Sequence, residues 1–217
     1  MNTWLTFTSA LPAKLAQFPV GANNQSAHVG NYDGRGTGGL PMEELHDAIR
    51  NVPKPVIARV QGFAIGGGNV LCTLCDLTIC SESAIFGQVG PTMGSVDPGY
   101  GTAFLARVVG EKKAREIWYL NRRYSGAEAV AMGLANFCFP HDQLDAEVQK
   151  IGEELCERSP TALAIAKRSF NADTAHQAGI AGLGMYALKL YYDTEESREG
   201  VNALKEKRKP EFRKYVK

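Results

Sequence analysis

Apolar residues recur along the chain in two rhythms, and the switch between them divides it. Val56-Ile57-Ala58-Arg59-Val60 is rich in β-branched side chains and bounded by Pro55 and by Gln61-Gly62, the composition of a strand followed by a turn. Leu77-Thr78-Ile79-Cys80 and Ile85-Phe86-Gly87 repeat that signal on either side of a turn at Ser81–Ala84, and Phe63-Ala64-Ile65 leads into Gly66-Gly67-Gly68. Asn69–Cys75 and Met42–Val52 carry helical composition, the latter closed by Pro53-Lys54-Pro55. Beyond Gly101 the rhythm is helical. A helix is expected over Thr102–Val109, Ser125 and Glu128 form a capping box for another that Gly133 ends, and Leu134–Phe139 is a short strand stopped by Pro140. Leu144, Val148, Ile151 and Leu155 make one apolar stripe, Ser159-Pro160 starts a further helix, and Ile180, Leu183, Ala187 and Leu190 stripe the next. Both stripes are expected to meet partner chains. Ahead of Pro41, Gly30, Gly34, Gly36, Gly38 and Gly39 crowd around Asn31 and Asp33, which reads as a mobile loop, and no strand or amphipathic helix is expected before it. The chain thus divides into an atypical N-terminal segment (1–40), an α/β core (41–140) and a helical C-terminal region (141–217).

Composition narrows the class. A length of 217 residues suits one domain with a sizeable core, and 44% hydrophobic with 22% charged residues is ordinary for a globular protein. A formal charge of +1 offers no global field for nucleic acid or an anionic membrane, so neither is expected as a partner. No apolar run reaches the roughly 18 residues of a membrane span, and Met1–Val20 lacks the basic and compact apolar regions of an export signal. Cys72, Cys75, Cys80, Cys138 and Cys156 are odd in number. Cys72-x-x-Cys75 has no second pair to complete a zinc site and lies in an apolar run, so buried thiols in a reducing cytoplasm are expected, and no metal.

Two segments carry candidate chemistry. A strand, the Gly66-Gly67-Gly68 corner and a helix start together place free backbone N–H groups at a positive helix end, which suits a phosphate or a developing oxyanion. The corner lacks the Lys and Ser/Thr of a phosphate loop, and it is equally the pattern of a tight packing turn. From Gln88 to Gly101, four glycines and two prolines in fourteen residues exclude the interior of an element. Ser95 and Asp97 in that loop share a strand-like spacing that aims them one way, and a carboxylate beside a hydroxyl can position water or move a proton. An Asx turn capping the following helix is the alternative.

The order of strand, triple glycine, helix, Cys75-Asp76-Leu77-Thr78-Ile79 and Ile85-Phe86-Gly87-Gln88 resembles the crotonase (enoyl-CoA hydratase/isomerase) superfamily from about Gln25 onward. Gly94-Ser95-Val96-Asp97-Pro98-Gly99-Tyr100-Gly101 and Lys113–Tyr119 are similar to two of its branches, the 1,4-dihydroxy-2-naphthoyl-CoA synthases and the 2-ketocyclohexanecarboxyl-CoA hydrolases. The hydrolase branch looks closer, through Gly30–Gly36, Leu40–His46 and Lys207–Tyr215, the first of which includes Tyr32.

The resemblance implies a ββα-spiral core with a helical C-terminal oligomerisation region, assembled as a trimer or a dimer of trimers. It implies an acyl-CoA thioester as substrate, with coenzyme A entering as part of it and no separate cofactor. The N–H of Gly67 would be one of two oxyanion donors, and Phe63, Ala64, Ile65 and Gly66 would line the acyl-CoA groove, with Tyr32 and Val89 beside it. Ser95 and Asp97 match a polar catalytic pair, Tyr192 a tyrosine delivered by the C-terminal region, and Lys207 a lysine that meets the coenzyme. Gln88, Gly90 and Trp118 match the synthase positions that hold a bicarbonate, expected only in that alternative. Each has a plainer reading: Trp118 as core, Tyr192 as core or interface, Lys207 as one of several tail cations. His28, His46, His141 and His176 are assigned no role.

One departure stands out. Phe18–Gln25 occupies the place of a second oxyanion segment, usually Gly-Gly-Asp, with Ala22 and Asn23 where the paired glycines belong, and Met1–Gln17 lacks the expected strands. The chain therefore reads as an N-terminally truncated or mis-started member. The expected reaction is hydrolytic ring opening of a cyclic β-ketoacyl-CoA through a thioester enolate. Synthase-type ring closure and an inactive truncated subunit are the alternatives.

Overall fold

The computed structural model describes residues 5–8, 42–97 and 99–216. The Gly-rich loop, Tyr32, and Ala22 with Asn23 lie outside the described residues. In chain order the core elements are β1 (Leu5–Thr8), α1 (Met42–Asn51), β2 (Val56–Val60), β3 (Phe63–Ile65), α2 (Gly67–Leu74), β4 (Leu77–Ser81), β5 (Ile85–Gly87) and α3 (Gly90–Met93). Then follow α4 (Ala103–Val109), α5 (Glu111–Leu120), β6 (Tyr124–Ser125), α6 (Gly126–Ala131), β7 (Phe137–Phe139), α7 (Leu144–Cys156), α8 (Pro160–Ala172), α9 (Ala178–Tyr192) and α10 (Glu195–Lys205).

The strands make two sheets. One is wholly parallel in the order β1-β2-β4-β7; in the other β3 pairs parallel with β5, and β6 runs antiparallel to β5. Parallel sheets are covered on both faces, and β2 obeys that rule, buried along its whole length. On one face Ile57 and Ile79 meet Leu144 and Val148 of α7. On the other, Ala58 and Val60 join Phe86, Leu105, Ile117 and Trp118 in the main core. Lys167 of α8 is buried, with its ammonium bonded to the carbonyls of Ile49 (2.7 Å) and Lys54 (3.0 Å) and to Asp76 (2.6 Å), which also accepts from the Val56 N–H (2.7 Å). Three acceptors around one ammonium compensate its desolvation and tie the C-terminal helices to the turn ahead of β2.

Two expectations need correction. Residues 5–8 are a strand, in register with Val56–Arg59, so the β2 edge is paired. Leu-Thr-Phe-Thr is too short for periodicity to separate strand from coil; the waiting edge of β2 makes the difference. The 144–155 stripe is internal packing rather than a partner face. The 180–190 stripe is the opposite case: Leu183 and Leu190 are each 71% exposed, because α9 turns Met185, Leu188 and Tyr192 inward instead. The capping box at Ser125 and Glu128, and Ser159 as the cap of α8, form as expected.

Candidate active site

The glycine corner owes its shape to Gly66. Its φ of +59° is a conformation that other residues rarely adopt, and its N–H donates to the Gly87 carbonyl (3.0 Å), pinning the corner to the end of β5. The α2 ladder begins with Val70 N–H to the Gly66 carbonyl (3.0 Å). The N–H groups of Gly67, Gly68 and Asn69 therefore lie ahead of the ladder at the positive end of the helix. Beyond its chain neighbours and its own helix backbone, no atom of the described residues lies within 4 Å of where a Cβ would stand at Gly67 or Gly68, whereas at Gly66 it would meet Val89 at 3.4 Å.

The loop after β5 is braced from below by Trp118. Its ring closes the space over both Gly90 and Gly101, where a Cβ would approach it to 2.9 Å, and its indole N–H donates to the Gly101 carbonyl (2.5 Å). Asp97 adopts the Asx-type turn: Oδ1 accepts from the N–H groups of Gly99 (3.1 Å) and Gly101 (2.8 Å). Oδ2 is buried and has no hydrogen-bond partner among the described residues. A Cβ at Gly101 would lie 2.9 Å from both Asp97 Oδ1 and Val70 Cγ2, so the carboxylate sits beside the first turn of α2. The Ser95 hydroxyl points elsewhere, to the Tyr192 hydroxyl at 2.9 Å. Ser95 and Asp97 are thus neighbours with separate partners rather than one hydrogen-bonded pair.

The C-terminal helices deliver Tyr192 and clamp the loop. Gly94, at φ +68°, lies against the Ser197 backbone, and Gly200 lies against Thr92 and Met93, so closely that neither position has room for a Cβ. On α10, Glu199 is buried and gathers Arg208 (2.5 Å), Lys214 (3.0 Å) and the Glu211 N–H (2.7 Å). Those three contacts hold its carboxyl at about 2, well below the usual range. Lys207 is exposed in a left-handed conformation (φ +55°) just past the C-cap of α10, where Lys207 N–H reaches the Leu204 carbonyl and Arg208 N–H the Ala203 carbonyl.

Of the remaining candidates, Phe63 is half-exposed, Ile65 is partly buried, and Ala64 is enclosed in the main core. Gln88 is buried with its Nε2 unpartnered among the described residues, as is the whole side-chain amide of Asn69 beside the corner. Sequence reasoning misses Asn69, Glu199 and Gly200, and reads Gly94 only as part of a glycine-rich loop; a helix-packing glycine and one glutamate in a charged helix carry no local signal. Burial raises the thiols of Cys75 and Cys80 to about 12 and that of Cys72 well above its usual value, which disfavours thiolate chemistry at those three. Among the described residues no group of three His, Cys, Asp or Glu side chains is placed to hold a metal ion, and no helix is long and apolar enough to cross a membrane.

A parallel-sheet core, a glycine corner with free N–H groups and a C-terminal helix closing on the facing loop define a crotonase-fold enzyme of the acyl-CoA-processing class. The chain belongs to the enoyl-CoA hydratase/isomerase family, whose model matches residues 15–215. Its structure is similar to an enoyl-CoA hydratase from Mycobacterium avium subsp. paratuberculosis K-10 (TM-score 0.78, 26% identity), over 98% of this chain and 96% of that one. An enoyl-CoA hydratase/isomerase from Pseudoalteromonas atlantica T6c shares the fold at 23% identity (TM-score 0.76, 98% and 97% covered). A methylmalonyl CoA decarboxylase shares it at 24% (TM-score 0.71, 82% and 72% covered).

Proposed function

We propose that this enzyme opens the ring of a cyclic β-ketoacyl-CoA such as 2-ketocyclohexanecarboxyl-CoA by adding water, giving pimeloyl-CoA. The observation that carries the reading is Asp97, with one carboxylate oxygen fixed by two backbone N–H groups and the other buried, without a partner among the described residues, beside the first turn of α2. A carboxylate so held accepts a proton from water at one defined oxygen. The hydroxide equivalent adds to the ring ketone, and the bond from that carbon to the thioester α-carbon breaks. Its electron pair forms the thioester enolate, whose oxygen faces the Gly67 N–H. Protonation of the α-carbon completes the sum of substrate plus water, with the thioester intact. Ser95 and Tyr192 orient the ketone or its hydrate.

Phe63, Ile65 and Gly66 border the acyl-CoA groove, and Lys207 meets the coenzyme. A lysine held in a left-handed turn that favours glycine is a strained position consistent with that role. Ring closure of the synthase type is the weaker reading, because the Trp118 N–H is committed to Gly101 and, of the side chains matched to bicarbonate, the Gln88 Nε2 is the donor left without a partner among the described residues. The exposed Leu183, Tyr186 and Leu190 support a homo-oligomer, and free cysteines suit a cytoplasmic setting. A single-chain mass by light scattering contradicts the oligomer. For the reaction, 2-ketocyclohexanecarboxyl-CoA is expected to give pimeloyl-CoA without free thiol; thiol release in step with substrate loss identifies a thioesterase instead.

A further inference from the structure

Asp97 is held by the N–H groups of Gly99 and Gly101, and the residue between them is anchored in a different layer of the molecule. Tyr100 is 3% exposed, its ring lying between His46 of α1 (edge-on, 5.1 Å) and Phe104 of α4 (5.0 Å). Its hydroxyl donates to Asp47 Oδ1 at 3.1 Å. Packing alone does not require that hydroxyl, since phenylalanine would fill the same space between His46 and Phe104. The hydroxyl fixes how deep the ring sits. Ring depth in turn sets the backbone on either side of residue 100, from which both N–H groups reach one oxygen of Asp97.

We infer that Tyr100 and Asp47 are positioning residues for the Asp97 carboxylate, carrying the placement of α1 into the catalytic loop. The inference rests on Asp97 as the base of the proposed hydrolysis. Neither residue touches substrate; both act by aiming the bare Oδ2. A base displaced by about an ångström can lose on the order of a hundredfold in rate, and a partly released turn loses less, so Tyr100→Phe is expected to lower kcat about tenfold. KM stays within about twofold, because the corner that binds the thioester is untouched. Asp47→Ala matches Tyr100→Phe, while Asp47→Asn, which keeps an acceptor oxygen, recovers most of the loss.

The test combines kinetics of the three variants on 2-ketocyclohexanecarboxyl-CoA with the backbone amide resonances of Gly99 and Gly101 in the 15N-labelled full chain. The inference predicts a kcat loss with rescue by Asp47→Asn, and movement of both amide resonances in Tyr100→Phe and Asp47→Ala. Unmoved resonances with unchanged kcat overturn it. So does a lowered melting temperature with kcat and KM intact, which makes the bond merely structural. If the parent enzyme does not turn over the ring ketone at all, the functional reading fails on that result, and the amide resonances alone decide whether the anchor exists.

Discussion

At the scale of single residues, the site separates two polar groups that the sequence places side by side. Asp97 has its orientation supplied by backbone and its second oxygen left without a partner among the described residues, whereas Ser95 is engaged by Tyr192. Asp97→Asn keeps the acceptor that Gly99 and Gly101 need but cannot take a proton, so kcat is expected to fall by about 10²-fold or more with KM little changed. Ser95→Ala removes one neutral hydrogen bond and is expected to cost about tenfold, read in the same steady-state assay. Equal turnover for Asp97→Asn and the parent would reduce Asp97 to a structural turn. Both residues are legible as candidates in the sequence itself, because a loop dense in glycine and proline marks irregular backbone. Their separate partners are not, since Tyr192 lies 97 residues beyond Ser95.

At the scale of elements, α10 acts as a clamp on α3 through two glycines. A methyl at residue 94 meets a left-handed backbone and the Ser197 carbonyl together. Gly94→Ala is therefore expected to cost at least about 2 kcal/mol, measured by denaturant unfolding, and to lower turnover by moving Ser95. An unchanged midpoint and rate would mean that α10 can withdraw without consequence. The elements themselves are readable where the signal is local: β2, β4 and β5, the capping box of α6 and the Pro160 start of α8. The four-residue β1 escapes a sequence reading because its strand character comes from the β2 edge. The two apolar stripes cannot be sorted from sequence, since both have helical spacing. Only the fold shows that Leu144 and Val148 face Ile57 and Ile79 while Leu183 and Leu190 face outward.

At the scale of the whole molecule, acid stability should report two buried groups in turn. Burial lowers His46 from 6.5 to about 4, so the folded state resists its protonation. Its contribution is fully present above pH 6.5 and is lost as pH falls towards 4. The Glu199 carboxyl, lowered from 4.5 to about 2 by Arg208, the Glu211 N–H and Lys214, adds a second loss between those values. His46→Phe preserves a ring against Tyr100 and should flatten melting temperature between pH 6.5 and 4 while leaving the lower transition. A profile identical to the parent's would mean that His46 is not the titrating group. The central claim is that water attacks the ring ketone and the thioester survives. Turnover of 2-ketocyclohexanecarboxyl-CoA in 18O-water, followed by mass spectrometry of the product, tests it most directly. The account predicts pimeloyl-CoA with 18O in the free carboxylate and none in the thioester carbonyl. Free coenzyme A, with 18O in a carboxylate formed at the former thioester carbon, would contradict it.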